Sequence, residues 1–334
     1  MHRIKVNFFI LACFFYLIIN EVKAQTKPYL AEYAKGYRGG FIQNQKSIDG
    51  ALNFAVIGDW GRGGEYFQKD VATVLAQAVA GINAQFIIST GDNIYPDGVQ
   101  STQDPLWNLS FENVFHQYPL HRKWYAVLGN HDYHSNPQAQ VDYSKVSARW
   151  NMPNRYYSIK QKIGNNAEAL FVFIDTNPLS KASYQSAYRD ELIKQDSAQQ
   201  NRWLEKVLSD TSSTIKWKIV VGHHPVYTAG NRALDFPEMK DALEPILEKY
   251  KVDFYISGHE HHLQYYQPKG KFTQHLISGA GSEANEGLKP RGPVDYFAPI
   301  QGFITFALTE SELFAQFINK NGVVIHQLNI PKKH

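Results

Sequence analysis

Five short stretches of this sequence pair a glycine with residue types that bind metal ions: Gly58-Asp59-Trp60-Gly61, Gly91-Asp92-Asn93-Ile94-Tyr95, Gly129-Asn130-His131-Asp132, Gly222-His223-His224-Pro225 and Gly258-His259-Glu260-His261-His262. Each directly follows an apolar run. One such stretch would mean little, because an Asp after a strand usually caps the next helix. Five in series describe a cluster of carboxylates, imidazoles, an amide and a phenol. That is too many ligands for one ion. It suits two ions sharing a carboxylate, about 4 Å apart, an arrangement that clamps both the attacking and the leaving oxygen of a phosphoryl transfer. The two imidazoles of His259 and His261, separated by Glu260 at a strand end, can address different ions.

The runs that must position these residues are strand-length: "FAVIGD", "FIIST", "WYAVLGN", "ALFVFID", "WKIVVGH", "DFYISGH" and "HLISGAG". Helical patterns lie between them. They are "DVATVLAQAVAGI", "SAQQNRWLEKVL" with its leading serine as a cap signal, and "PEMKDALEPILEKY", whose inner proline predicts a kink or break. Buried strands alternating with helices predict an α/β fold. In such sheets, sites form beyond the carboxyl ends of the strands. The tail, "GFITFALT", "LFAQFIN" and "VVIHQLNI" with "KNG" as a turn, predicts an antiparallel meander. Residues 25–50 are polar and Gly-rich and read as a loose arm.

The N-terminus carries a basic start, "MHRIK", and an apolar stretch, "FFILACFFYLII", of signal-peptide length. The expected division is a signal peptide over residues 1–24 and a single catalytic domain over 25–334. No other segment is apolar for long enough to span a bilayer, so a secreted or periplasmic protein is expected. Without the leader's Arg3, Lys5, Lys23 and Glu21, the chain's 34 basic and 31 acidic residues become nearly equal in number. That balance gives no reason to expect nucleic acid or an anionic membrane as the main partner. The only cysteine, Cys13, lies in the leader. Any metal site in the exported chain must therefore use His, Asp, Glu, Asn or Tyr.

The ordered set of five motifs resembles the calcineurin-like metallophosphoesterases. Tyr95 narrows the resemblance to the purple acid phosphatases, in particular the small, tartrate-resistant mammalian-type members. The similarity extends through "RWNMPNRYYS", "GHEHHLQYY" and "HLISGAGS". It implies a four-layer α/β/β/α sandwich of two mixed sheets flanked by helices. It also implies two ions per chain. Fe(III) would be held by Asp59, Asp92, Tyr95 and His261. A divalent ion, Fe(II), Zn(II) or Mn(II), would be held by Asp92, Asn130, His223 and His259. A shell of three anionic oxygens suits a trivalent ion, which explains a tyrosine as ligand: it would be a ferric phenolate. By the same resemblance, a metal-activated hydroxide attacks phosphorus, and His131 contacts the phosphate and protonates the leaving alkoxide. Asn130 would also touch substrate.

One departure is plain. Mammalian-type relatives place another histidine some nine residues after the GH motif, where this chain offers Asn231 and Arg232. Arg232 is expected to grip phosphate with its guanidinium fork. Asp132, His224 and His262 have no slot in the ligand scheme and are expected around the site, His224 and His262 behind the ligands or at the rim, Asp132 orienting a neighbour. His116, His121, His134 and His275 are expected to be structural, and Asn130 has a plain alternative as a residue tolerating a left-handed turn. The reading is an acid phosphatase acting on small phosphate monoesters, expected as a monomer. Its rivals are a phosphodiesterase or nucleotide hydrolase on the same scaffold, and a non-catalytic metal- or phosphate-binding protein.

Overall fold

The computed structural model describes residues 39–232 and 237–333, so the leader expected over 1–24 lies outside the described residues. In chain order the strands are β1 (Leu52–Ile57), β2 (Phe86–Ser89), β3 (Lys123–Ala126), β4 (Trp150–Asn151), β5 (Tyr157–Ile163), β6 (Ala167–Phe173) and β7 (Ile215–Val221). They continue as β8 (Phe254–Ser257), β9 (Leu263–Tyr266), β10 (Gln274–Ser278), β11 (Tyr296–Ala298), β12 (Gly302–Leu308), β13 (Glu312–Asn319) and β14 (Val324–Pro331). The α-helices are α1 (Gln68–Gly81), α2 (Pro137–Tyr143), α3 (Arg189–Leu192), α4 (Ser197–Leu208) and α5 (Pro237–Lys249).

The strands form two mixed sheets of seven, ordered β14-β13-β12-β1-β2-β3-β4 and β11-β9-β10-β8-β7-β6-β5. β1 to β4 run parallel, and so do β6, β7, β8 and β10. The C-terminal meander of β12, β13 and β14 extends the first sheet antiparallel to β1, with Gly322 of the Lys320-Asn321-Gly322 turn at φ 74°.

Alternation along the strands builds the layers. In β6, Phe171 and Phe173 join the core between the sheets, while Leu170 and Val172 face a second core. There they meet Leu204 and Leu208 of α4 and Leu243 and Leu247 of α5. α1 packs on the first sheet against β12. Between the sheets, the ring of Phe54 stacks on Phe86 at 5.1 Å and on Phe306 at 4.8 Å, and meets Phe171 edge-on at 5.3 Å. Aromatic contacts of this kind add to the area each ring removes from water. With both faces covered, the inner strands read as unbroken apolar runs.

Three local expectations are corrected. α4 is capped by Asp196, whose carboxylate accepts the Gln199 N–H at 2.8 Å; Ser197 is already helical. α5 runs unbroken through Pro245, its apolar face held by the second core. Of the polar arm, the described residues 39–50 are partly packed: Ile42 is buried, and Gln45 donates to the carbonyl of Ala78 in α1.

Candidate metal centre

The two sheets meet at the C-terminal ends of their parallel strands. Ser278, closing β10, donates its hydroxyl to Val56 O at 2.8 Å, and its own carbonyl accepts the Thr90 hydroxyl at 3.2 Å. The Ser282 hydroxyl donates to Asp59 O, and Gly281 N to Gly58 O. These bonds bring the ends of β1, β2 and β3 against those of β7 and β8, so all five motifs converge.

Three of the converging residues sit in the left-handed region: Asp59 at φ 58°, Asp92 at φ 48° and His259 at φ 68°. Each follows the glycine of its motif. That conformation costs a non-glycine residue on the order of 1 kcal/mol and is kept where the surroundings over-determine it, often at functional sites. Asn130, in contrast, has φ −70°, so the left-handed alternative for it is wrong. Its position is set by close approach. A Cβ on the preceding Gly129 would lie 2.1 Å from Asp92 Oδ1 and 2.2 Å from Asp92 N, which only glycine avoids.

The side chains fall into two adjoining groups. In the first, the Tyr95 hydroxyl lies 2.9 Å from Asp92 Oδ2, 3.1 Å from Asp59 Oδ1 and 3.2 Å from His261 Nε2. In the second, His223 Nε2 lies 3.2 Å from Asn130 Oδ1, 3.1 Å from His259 Nδ1 and 3.5 Å from Asp92 Oδ1. Asp92 belongs to both. Both carboxylates are steadied by backbone donors: Asp59 Oδ2 accepts His259 N–H at 3.0 Å, and Asp92 Oδ1 accepts His131 N–H at 2.9 Å.

The tautomer of His223 follows from its partner. Its Nδ1 lies 2.9 Å from the carbonyl of Thr90, which can only accept, so Nδ1 carries the proton and Nε2 presents a lone pair. His131 follows the same rule. Its Nδ1 donates to Pro96 O at 2.6 Å, which leaves Nε2 directed to the site, 4.0 Å from Asp92 Oδ2.

The electrostatics fit cations. Burial pushes the Asp92 carboxyl up, but the charge that His223 and His131 carry when protonated, with the hydrogen bonds from His131 N–H and the Tyr95 hydroxyl, holds the group below its usual range. Burial, then Asp59 and Asp92, push the Tyr95 phenol well above its ordinary range. Only a strong positive charge at that oxygen would ionise it. Burial, then neighbouring imidazoles, hold His259 and His224 well below theirs, so they are neutral donors. Asp59, Asp92 and His223 offer ligand atoms within 4.8 Å of one another, and so do His223, His224 and His259. The donor set thus fits an oxygen-rich position beside a nitrogen-rich one.

The surrounding residues are placed as follows. Asp132 is buried and accepts from the backbone N–H groups of Asn93, Ile94 and Gly129 and from Gln140 Nε2 at 2.7 Å, locking the β2 loop to the β3 loop. Burial and the charge of Asp92 push its carboxyl up to about 6. His224 is not at the rim. It is buried, its ring 4.6 Å from that of His259 and its Nδ1 2.8 Å from the Thr176 hydroxyl. His262 is buried too, but its Nε2 lies 3.2 Å from Gln264. Arg232 donates Nη1 to the carbonyl of His259 at 2.7 Å and its backbone N–H to Glu260 Oε1 at 2.9 Å. His116 and His121 contact backbone carbonyls on the surface, His134 pairs with Asp97 at 3.2 Å, and His275 is buried in β10. Two residues with no signal in the sequence also belong here: Arg62 and Glu283, paired at 2.9 Å beside Tyr95 and His261.

A strand-end site of this composition on two packed mixed sheets defines a class. The family model of the calcineurin-like phosphoesterases matches residues 52–263. Purple acid phosphatase 7 of Arabidopsis thaliana is 35% identical over 297 residues, covering 86% of this chain and 89% of the relative. Tartrate-resistant acid phosphatase type 5 of Homo sapiens is 30% identical over 303 residues, covering 85% and 92%. A solved structure of GAP50, the anchor in the inner membrane complex of Plasmodium, superposes with a TM-score of 0.72 at 27% identity, covering 85% of this chain and 89% of that one. The chain belongs to the purple acid phosphatases within the calcineurin-like phosphoesterases.

Proposed function

We propose that this metal-dependent phosphoric monoester hydrolase is an exported acid phosphatase, freed of a leader over residues 1–24 and working as one catalytic domain over 25–334. Fe(III) is assigned to Asp59, Asp92, Tyr95 and His261. The second ion, Fe(II), Zn(II) or Mn(II), is assigned to Asp92, Asn130, His223 and His259. The observation that carries this reading is the Tyr95 hydroxyl, within 3.2 Å of two carboxylates and an imidazole. A phenol so enclosed needs a highly charged cation to give up its proton, and ferric iron is one.

When bound, the two ions offset the phosphate charge and make hydroxide available as nucleophile below neutral pH. The remaining work falls to the chain's own residues. Asp92 orients both ligand groups. His131, held by Pro96 and packed 4.4 Å from the Tyr95 ring, presents Nε2 for phosphate binding and for proton delivery to the leaving alkoxide. Asn130 faces the same substrate. Arg232 acts from behind the site, donating Nη1 to the carbonyl of the proposed ligand His259 and so holding that residue in place.

Export is supported by the leader composition. Among the described residues, no helix is long and apolar enough to cross a membrane. The near-equal numbers of basic and acidic residues give no reason to expect nucleic acid or an anionic membrane as the main partner; the proposed substrate is a small phosphate ester, and the enzyme is proposed to act as a monomer.

The test is an assay of the purified full chain on para-nitrophenyl phosphate and on its bis-ester, from acidic to neutral pH, with metal content measured on the same samples. Monoester turnover that scales with iron content is expected. Diester cleavage without monoester cleavage would replace this reading with a phosphodiesterase.

A further inference from the structure

Arg62 follows the first ligand motif, and its guanidinium lies over the face of Tyr95, 3.8 Å from the ring centroid. Its side chain is only 15% exposed. Behind it stands the ring of Tyr66 at 4.9 Å, and Glu283 holds it at 2.9 Å. Glu283 also reaches within 4.0 Å of His261 Nδ1. The backbone completes the link, since Tyr95 N–H donates to Gly61 O at 2.7 Å. Arg62 therefore ties the β1 loop, the β2 loop and the segment after β10 together around one ring. A cation on the face of a neutral ring gains a modest attraction, and partial burial strengthens it. On a ring bearing negative charge the attraction grows further.

We propose that Arg62 is a positioning residue that tunes the iron side of the centre by stacking on Tyr95, with Glu283 as the counter-charge that limits its effect. The proposal rests on the reading of Tyr95 as a ferric phenolate. The positive charge stands at the ring face rather than at the phenol oxygen. It therefore stabilises the filled ring orbitals more than the acceptor beyond the oxygen, and moves the phenolate-to-iron absorption to shorter wavelength. The same charge favours the reduced ion, so it raises the iron reduction potential; groups behind the ligands tune metals in this way.

The experiment is visible absorption and redox titration of the iron-loaded full chain as wild type, Arg62→Met, Arg62→Lys and Glu283→Gln. Arg62→Met is expected to move the band to longer wavelength by on the order of 10 nm, the scale for a unit charge nearer one end of the transition than the other. Its potential should fall. Arg62→Lys, which keeps the charge but not the flat stack, should move less. Glu283→Gln should move both readouts the opposite way, which keeps the proposal testable should Arg62→Met fail to load iron. A merely structural arginine would leave wavelength and potential unchanged in every variant that folds, and that result overturns the proposal. A wild-type protein that loads iron without a visible band removes the reading of Tyr95 and this inference together. A wild-type band that none of the variants shifts removes the inference alone.

Discussion

Oδ2 of Asp92 lies 2.9 Å from the hydroxyl of Tyr95, while its other oxygen lies 3.5 Å from Nε2 of His223. One carboxylate thereby joins the oxygen-rich group to the nitrogen-rich one. Asp92→Asn should lose both metals together and drop kcat by on the order of a thousandfold or more, about 4 kcal/mol of barrier. Metal analysis of the purified variant checks this. Retention of one full equivalent of metal would show that the two groups are independent.

Arg232 separates two roles that a phosphate-gripping arginine would merge. Its Nη1 holds the carbonyl of His259, a residue kept at φ 68°. Arg232→Gln is expected to weaken retention of the divalent ion by about tenfold, the low end for groups that orient metal ligands. KM for a monoester should change less, once metal is in excess. A large rise in KM at full metal occupancy would make Arg232 a direct phosphate contact instead.

The five strand-end motifs are legible in the sequence because inner strands buried on both faces read as apolar runs, and the glycines after them mark abrupt turns. The two-sheet arrangement came from family resemblance, since apolar runs do not say which strands pair. β5, reading "YSIKQKI", gives no apolar run because it is an edge strand partly exposed along its middle. β9 hid within the "GHEHHLQYY" stretch. Arg62 and Glu283 carried no signal because they meet only when the end of β10 folds onto the end of β1. The place of Asp132 beside the ligand motif is legible in the sequence, but not the three backbone donors it gathers from two loops.

Acid tolerance has a separate determinant. His275 is fully buried in β10, its ring 4.8 Å from that of Tyr227, and burial followed by Lys240 pushes it down to about 3. The unfolded chain binds a proton there near pH 6.5, well above the folded value. This residue's contribution is therefore complete above about pH 6.5 and is lost as pH falls from there toward 3. At pH 5 the loss is about 2 kcal/mol. In denaturant titrations, His275→Gln should flatten the fall in stability between pH 7 and 5 by roughly that amount. An unchanged slope would mean that His275 is not held neutral.

The central claim is that Tyr95 binds ferric iron. Its most direct test is the visible absorption spectrum of the iron-loaded protein beside that of Tyr95→Phe. The account predicts a broad visible charge-transfer band in the wild type that is absent from Tyr95→Phe, while the divalent ion at Asn130, His223 and His259 is retained. A colourless wild type with a full complement of metal, or a band that survives in Tyr95→Phe, would contradict it and return Tyr95 to the role of a buried aromatic lining a two-metal hydrolase.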